Sequence, residues 1–258
     1  MRNALIFTLV GALIFLAACG HKPMQVAVPA APSIQQPTSA EAGATKASDA
    51  SSETSGESEG VASTDLASTE IDPDTKPILV ETGIASWYGA PYHNRRASNG
   101  EVYDMHAMTA AHKTLPLGSI VRVTCLENGE SVVVRITDRG PFIEGRIVDL
   151  SQAAALKIGL VRKGTAQVRL EVLKTPQPIE VGGRWAVQIG GFQTEDSARD
   201  LAGHLTRRYH TAKVLTFPSP AGDWWVRVRV KDDDRERAGE VARAEKTSEG
   251  GIFLVRLD

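Results

Sequence analysis

Short runs of alternating apolar and polar residues fill two stretches of the chain and are missing from a third. In the first stretch, Thr82–Gly89, Ser119–Leu126, Ser131–Asp138 and Thr165–Val172 each read as a strand. Asn128-Gly129 sits between the second and third of these, which is a strong hairpin signal. Arg139-Gly140-Pro141 stops the third. Ser151–Ile158 reads as a short helix, with Ser151 as N-cap and Gly159 just past its end. Many short strands with one or two short helices predict a small closed barrel over residues 80–175.

The second stretch, residues 181–258, mixes the two periods. Arg184–Phe192 reads as a strand, and Thr194 caps a helix running to about Tyr209, with Ala198, Leu201, Ala202 and Leu205 on one face. Ala212–Phe217 is a strand. From Trp224 to Val230, Trp224, Val226, Val228 and Val230 share one side, and Trp225, Arg227 and Arg229 the other. A helix from about Asp233 and a strand at Ile252–Leu257 complete a β-α-β-β-α-β order, which predicts a ferredoxin-like sheet with helices on one face.

The first part of the chain has neither period. After Arg2, Ala4–Ala18 is an apolar run too short to span a bilayer, which fits the hydrophobic region of an export signal over residues 1–18. The run ends Leu16-Ala17-Ala18-Cys19, which resembles the bacterial lipoprotein box. That resemblance implies a diacylglycerol on the Cys19 thiol and an acyl chain on its amine, enough for stable anchoring in the lipid bilayer. Gly20 after the cysteine, by its resemblance to lipoprotein sorting signals, implies the outer membrane, facing the periplasm. Residues 19–79 then form a tether of Ala, Ser, Thr, Glu, Pro and Gly, predicted to be disordered.

Composition sharpens this division. No Phe, Trp or Tyr occurs between Phe15 and Trp87, so a single 258-residue globule is excluded. Residues 20–80 hold 3 basic and 9 acidic side chains, whereas residues 81–175 hold 12 and 9 and residues 176–258 hold 13 of each. The acidic excess therefore belongs to the tether. A net charge of −2 gives no general attraction to nucleic acid. Two cysteines exclude a disulfide scaffold, and if Cys19 is lipidated, Cys125 has no partner and reads as a small buried apolar residue. The six histidines do not fall with Cys or acidic residues at metal-binding spacing, and no nucleotide fingerprint or serine elbow is present, so no metal or cofactor is expected.

Five blocks carry a more specific signal: Gly83–Gly89, Ser98–Met105, Met108–Gly118, Thr137–Phe142 and Gly145–Ser151. In this order they resemble the rare lipoprotein A family. The resemblance implies a six-stranded double-psi β-barrel and, in at least some members, peptidoglycan lytic transglycosylase activity. Asn94, Ala97 and Cys125 depart from the family pattern, which has Gly, Thr and Asn there. Trp185–Phe192 with the later Trp225–Val228 resembles a SPOR domain, which implies binding to glycan strands that lack stem peptides and concentrate at the division septum. Lys231-Asp232-Asp233 replaces that family's usual turn.

Glycan cleavage needs a carboxylic acid that protonates the leaving oxygen. A hydrolase adds a second carboxylate. A lytic transglycosylase instead lets the C6 hydroxyl of the muramic acid attack its own anomeric carbon, giving a 1,6-anhydro end. Asp138 closes an apolar strand, where burial would favour its protonated form; it could equally cap the Arg-Gly-Pro bend. Glu101 and Asp104, three residues apart, could share a proton or fix a sugar hydroxyl, or be a solvated acidic loop. His112 could orient a carboxylate or be structural. Arg139 could bind an acidic group of the substrate or pair with Asp149. With the family in view, the expected catalytic set is Asp138, Glu101, Asp104 and His112. The expected substrate-binding set is Tyr88, Arg139, Gln188, Trp225 and Arg227, with Trp225 also compatible with sheet packing. The expected activity is endolytic cleavage of glycan strands without stem peptides. The competing expectation is a non-catalytic, expansin-like wall binder.

Overall fold

The computed structural model describes residues 75–219 and 221–258. The export signal, Cys19 and nearly all of the tether therefore lie outside the described residues. The first folded region contains β1 (Leu79–Tyr88), β2 (Thr109–His112), β3 (Ile120–Cys125), β4 (Ser131–Asp138), β5 (Arg146–Ser151), α1 (Gln152–Lys157) and β6 (Ala166–Lys174). Its strands close into a barrel in the order β1-β5-β2-β4-β3-β6. Two neighbour pairs, β1 with β5 and β2 with β4, run parallel, and the other pairs are antiparallel. This is the six-stranded double-psi barrel that the resemblance implies.

The barrel closes because its inward positions are branched and apolar. Val121, Val123, Val134, Ile136, Val148, Leu150, Val168, Leu170 and Val172 are fully buried in one cluster. At roughly 1.5–3 kcal/mol per buried side chain, this layer outweighs any surface interaction described below. Cys125 is free and buried in the same cluster. The Asn128-Gly129 turn forms as read, with Gly129 at φ +75°. Ser151 caps α1 by accepting from the Ala154 N–H.

Periodicity alone does not reveal β2. Its four residues are buried on both faces, so Thr109-Ala110-Ala111-His112 shows no alternation. Ala is a weak strand former, and only pairing with β4 and β5 holds the segment extended.

The second folded region contains β7 (Trp185–Phe192), α2 (Glu195–Arg208), β8 (Lys213–Pro218), β9 (Trp224–Arg229), α3 (Arg235–Ala244) and β10 (Gly251–Arg256). The sheet order is β10-β7-β9-β8, all antiparallel, as a ferredoxin-like α/β domain requires. Thr194 caps α2 through the Ser197 N–H. The last helix begins two residues later than the sequence suggests. Asp234 is its N-cap, while Asp233 adopts φ +50° and turns its carboxylate to Arg184 and Arg229. Trp185, Val187, Ile189, Val226 and Val228 pack against Ala198, Leu205, Ala238 and Val241. By alternation, Gln188, Gly190, Trp225 and Arg227 belong to the opposite, helix-free face.

Gly190 and Gly129 separate two roles of glycine. A Cβ at Gly190 would lie 2.0 Å from the Trp225 ring, whereas one at Gly129 would meet nothing within 4 Å. Gly129→Ala should cost only the left-handed backbone penalty of about 1–2 kcal/mol. Gly190→Ala must displace Trp225 and should cost about 3 kcal/mol by overpacking. Denaturant unfolding with tryptophan fluorescence checks both: Gly190→Ala should change the native emission, and Gly129→Ala should not.

Candidate active site

The site begins with a row across three strands. Ala111 of β2 is in register with Asp138 of β4 on one side and with Asp149 of β5 on the other. Residues opposite one another in a sheet share a face, so one methyl group separates two carboxylates whose Cα atoms stand about 10 Å apart, two strand spacings. All three residues line one cleft of about 1100 Å³.

Asp138 is held tightly. Its Oδ1 accepts from the Ser98 N–H at 3.0 Å, the Ser98 hydroxyl at 2.5 Å and the Arg139 N–H at 2.8 Å. Among the described residues no donor reaches Oδ2. Ser98 is delivered by a tight loop: Ala97 N–H donates to the Glu101 carbonyl at 2.8 Å, and Asn99 N–H to the Thr137 carbonyl at 3.1 Å. Glu101 anchors this loop with a two-pronged pair to Arg135, both contacts at 2.8 Å, and that guanidinium holds the Glu101 carboxyl below its ordinary range. Asp149 is different. Burial raises its carboxyl above the ordinary carboxylate value against the opposing pull of Arg146, which donates to Oδ2 at 2.6 Å.

Buried polar atoms without partners concentrate here. Among the described residues six such side-chain atoms occur: the hydroxyls of Tyr88 and Thr109, Nε of Arg139 and of Arg146, Oδ1 of Asp149 and Nε1 of Trp225. Five of the six belong to residues lining the cleft. Native proteins satisfy nearly all buried polar groups, so this clustering marks a place where something else supplies the partners. The Tyr88 hydroxyl has Thr109 as a neighbour without forming a sound bond to it. Burial, reinforced by the charge of Asp138, keeps the Tyr88 hydroxyl protonated well above its usual pKa.

The expected site residues divide accordingly. Asp138, Tyr88, Arg139, Gln188, Trp225 and Arg227 line the cleft. Glu101, Asp104 and His112 are not among the lining residues. Asp104 is about half exposed, and its Oδ1 accepts from the His106 N–H at 2.9 Å. His112 is buried: its Nδ1 accepts from the Thr114 and Leu115 N–H groups, so Nε2 carries the proton and donates to Glu81 at 3.3 Å. The sequence offers Asp149 only as a possible partner for Arg139. The structure pairs it with Arg146 instead and faces it into the cleft. Strand register across β2 is the signal that would have found it.

Comparison with known proteins matches both halves of the described chain. Residues 80–170 match the family model described as lytic transglycolase, and residues 181–253 match the SPOR domain. A Campylobacter jejuni protein named endolytic peptidoglycan transglycosylase RlpA is 38% identical over 205 residues, covering 67% of this chain and 71% of the relative. The chain belongs to the RlpA family. Proteins of the same name are similar in Vibrio cholerae (50% identity over 134 residues, covering 49% of this chain and 51% of the relative) and in Pseudomonas aeruginosa (60% over 158 residues, covering 60% and 46%). The chain spans about half the length of the V. cholerae and Neisseria meningitidis relatives.

The Asp138-Arg139-Gly140 block of the RlpA family has a further structural use. The Arg139 guanidinium is buried and forks over backbone oxygens: Nη1 donates to the carbonyls of His112 at 3.0 Å and Leu115 at 2.7 Å, and Nη2 to that of Asp258 at 2.6 Å. Burial pushes its pKa down to about 10. Arg139→Lys keeps a charge but cannot reach three carbonyls at once. It should lower unfolding free energy by about 2–4 kcal/mol, read from urea midpoints.

A pH effect follows from His112. Burial favours its neutral form, so its folded pKa lies below the ordinary 6.5. The unfolded chain then binds more protons as pH drops, and stability falls from about pH 6.5 downward. Glu81, held below its ordinary 4.5 chiefly by its bond to His112, adds its own loss only in more acid solution. Unfolding free energy should decline between pH 6.5 and 5, and His112→Asn should flatten that decline.

Proposed function

We propose that this chain is a peptidoglycan lytic transglycosylase that cleaves the bond between N-acetylmuramic acid and N-acetylglucosamine without water. Its substrate would be glycan strands lacking stem peptides, to which the SPOR domain would target it at the septum. The reading rests on one observation above the others: Asp138, fixed through one oxygen, stands in a cleft crowded with unpartnered buried polar atoms. Family membership and the names of the relatives agree with it.

In this reading Asp138 delivers a proton from Oδ2 to the leaving oxygen of the glycosidic bond. The C6 hydroxyl of the muramic acid forms a bond to its own C1 as the old C1–O bond breaks, and Asp138 takes back the C6 hydroxyl proton. No water is consumed, and a 1,6-anhydro end is left. A single proton-shuttling carboxyl suffices. Tyr88, kept neutral, can donate a hydrogen bond to the sugar, and the charged side chain of Arg146 favours developing negative charge on the leaving group. Glu101 acts as a positioning residue, through the loop that brings Ser98 to Asp138. His112 acts likewise, by holding the end of β2. Asp104 does not line the cleft, and the geometry gives it no separate step.

The rest of the notional protein follows the same reading. Export through residues 1–18, acylation at Cys19 and the tether over residues 19–79 would fix the two folded domains to a membrane of the cell envelope, with the outer membrane the best fit to Gly20. A flexible chain of that length has an r.m.s. span of roughly 40–46 Å, enough to work away from the bilayer.

The test is product analysis by mass spectrometry after incubation with peptide-stripped sacculi. Anhydro-muramic ends should form, and Asp138→Asn should reduce them by about 10²–10⁴-fold. Reducing ends would identify a hydrolase, and binding without any product would identify a wall binder.

A further inference from the structure

We propose that the helix-free face of the C-terminal sheet is the second wall of the catalytic cleft, so that one glycan strand is held by both domains at once. The inference rests on the glycan-cleaving reading above and extends it to how substrate is chosen. The barrel and the sheet lie in one compact unit of the chain. The cleft that holds Asp138 and Asp149 is also lined by Gln188, Trp225, Arg227 and Phe253.

Four observations make this wall a built surface. Trp225 is 7% exposed, with an indole N–H that has no partner, although buried indoles usually find one. Its ring lies over the bare backbone of Gly190 and meets Phe142 of the barrel at 4.9 Å between centroids. Arg227 is held for presentation: Nε and Nη2 both donate to Gln188 Oε1, at 3.0 and 2.6 Å, and the guanidinium lies 5.0 Å from the Phe217 ring centre. Charge also reaches across: Tyr92 of the barrel has its hydroxyl pKa raised by burial and by Asp223, from the turn between β8 and β9.

The two walls are fastened by backbone. Arg256 N–H donates to the Lys113 carbonyl at 3.0 Å, and the Asp258 carbonyl accepts from Arg139 and from the Leu117 N–H. The cleft thus has a fixed width. Its volume of about 1100 Å³ exceeds the roughly 300–1,000 Å³ of ordinary small-molecule sites, which suits several sugars in a row. Aromatic rings beside fixed hydrogen-bonding groups suit the flat faces and hydroxyls of a sugar chain. A strand carrying a peptide on every second sugar would have to seat those peptides between two fastened walls. Selection for peptide-free glycan then occurs in the cleft itself, in addition to any delivery by the C-terminal domain.

Calorimetric titration of detergent-solubilised full-length Asp138→Asn protein tests this. The probe is a peptide-free octasaccharide of alternating N-acetylglucosamine and N-acetylmuramic acid. One strand should bind per chain. Arg227→Gln and Tyr92→Ala, one on each wall, should each weaken that single event by about tenfold, the loss expected for one charge-assisted or aromatic contact. The same octasaccharide carrying stem peptides should bind at least tenfold more weakly. Two binding events per chain, with Arg227→Gln removing one and sparing the other, would overturn the proposal, as would no binding at all. A count of two strands per chain for the Asp138→Asn protein overturns the proposal even if a wall variant fails to fold. One-site binding without anhydro products from the unaltered protein would remove the cleavage reading and keep the shared cleft. Products with two-site binding would do the reverse.

Discussion

A buried guanidinium organises the functional half of this molecule. Arg139 follows Asp138 directly, so its backbone N–H fixes the carboxylate while its side chain runs the other way, into protein. A cation with little water around it must be satisfied by the protein, and three backbone carbonyls do this. Two come from the turn that leaves β2, and the third from Asp258 beyond the last strand. One residue thus ties the Asp138 carboxylate, the strand beside it and the neighbouring domain into a single arrangement. A purely apolar contact could stabilise the same junction. It could not fix the register so narrowly, because hydrogen bonds are directional and dispersion is not.

That rigidity explains how the cleft can tolerate so many unsatisfied groups. Each buried donor or acceptor without a partner costs about 1–3 kcal/mol. Tyr88, Asp149, Arg146 and Trp225 cannot turn to find partners because packing and ion pairs hold them. The barrel core, with nine fully buried branched residues from four strands, supplies the stability that offsets this strain. A ligand with hydroxyls and amides at the right places recovers what the free protein forgoes. The affinity then comes from groups already fixed in place, with little further ordering to oppose it.

Much of the fold was legible. The strands that alternate, such as Ser131–Asp138 and Trp224–Val230, announce themselves because one face is buried and the other is not. The capped helices are as clear, since Ser151 and Thr194 sit where an N-cap should. β2 is invisible to periodicity because both of its faces are buried, and it emerges only through the family blocks. The same physics hid the better part of the site. Asp138 could be found from its place at a strand end and its motif. Asp149 becomes its companion only through the register of β2 between β4 and β5, a long-range pairing that no local pattern encodes. His112 shows the opposite case. Its motif suggested chemistry, yet two backbone N–H groups and Glu81 occupy both of its nitrogens.

The two carboxylates flanking Ala111 stand in different environments. Asp149 is deeply buried beside a single guanidinium, and burial prevails, so its proton is held more firmly than usual. Asp138 is fixed by donors that all meet one oxygen, which leaves the other facing a cleft without a competing donor. The Ser98 loop and the Arg139 N–H produce this asymmetry of one anchored oxygen and one free. Ala111 matters for what it lacks. Any larger side chain at that position would stand between the two acids and intrude on the cleft they line. The smallest residue in the row is therefore as much a part of the site as the charged residues on either side.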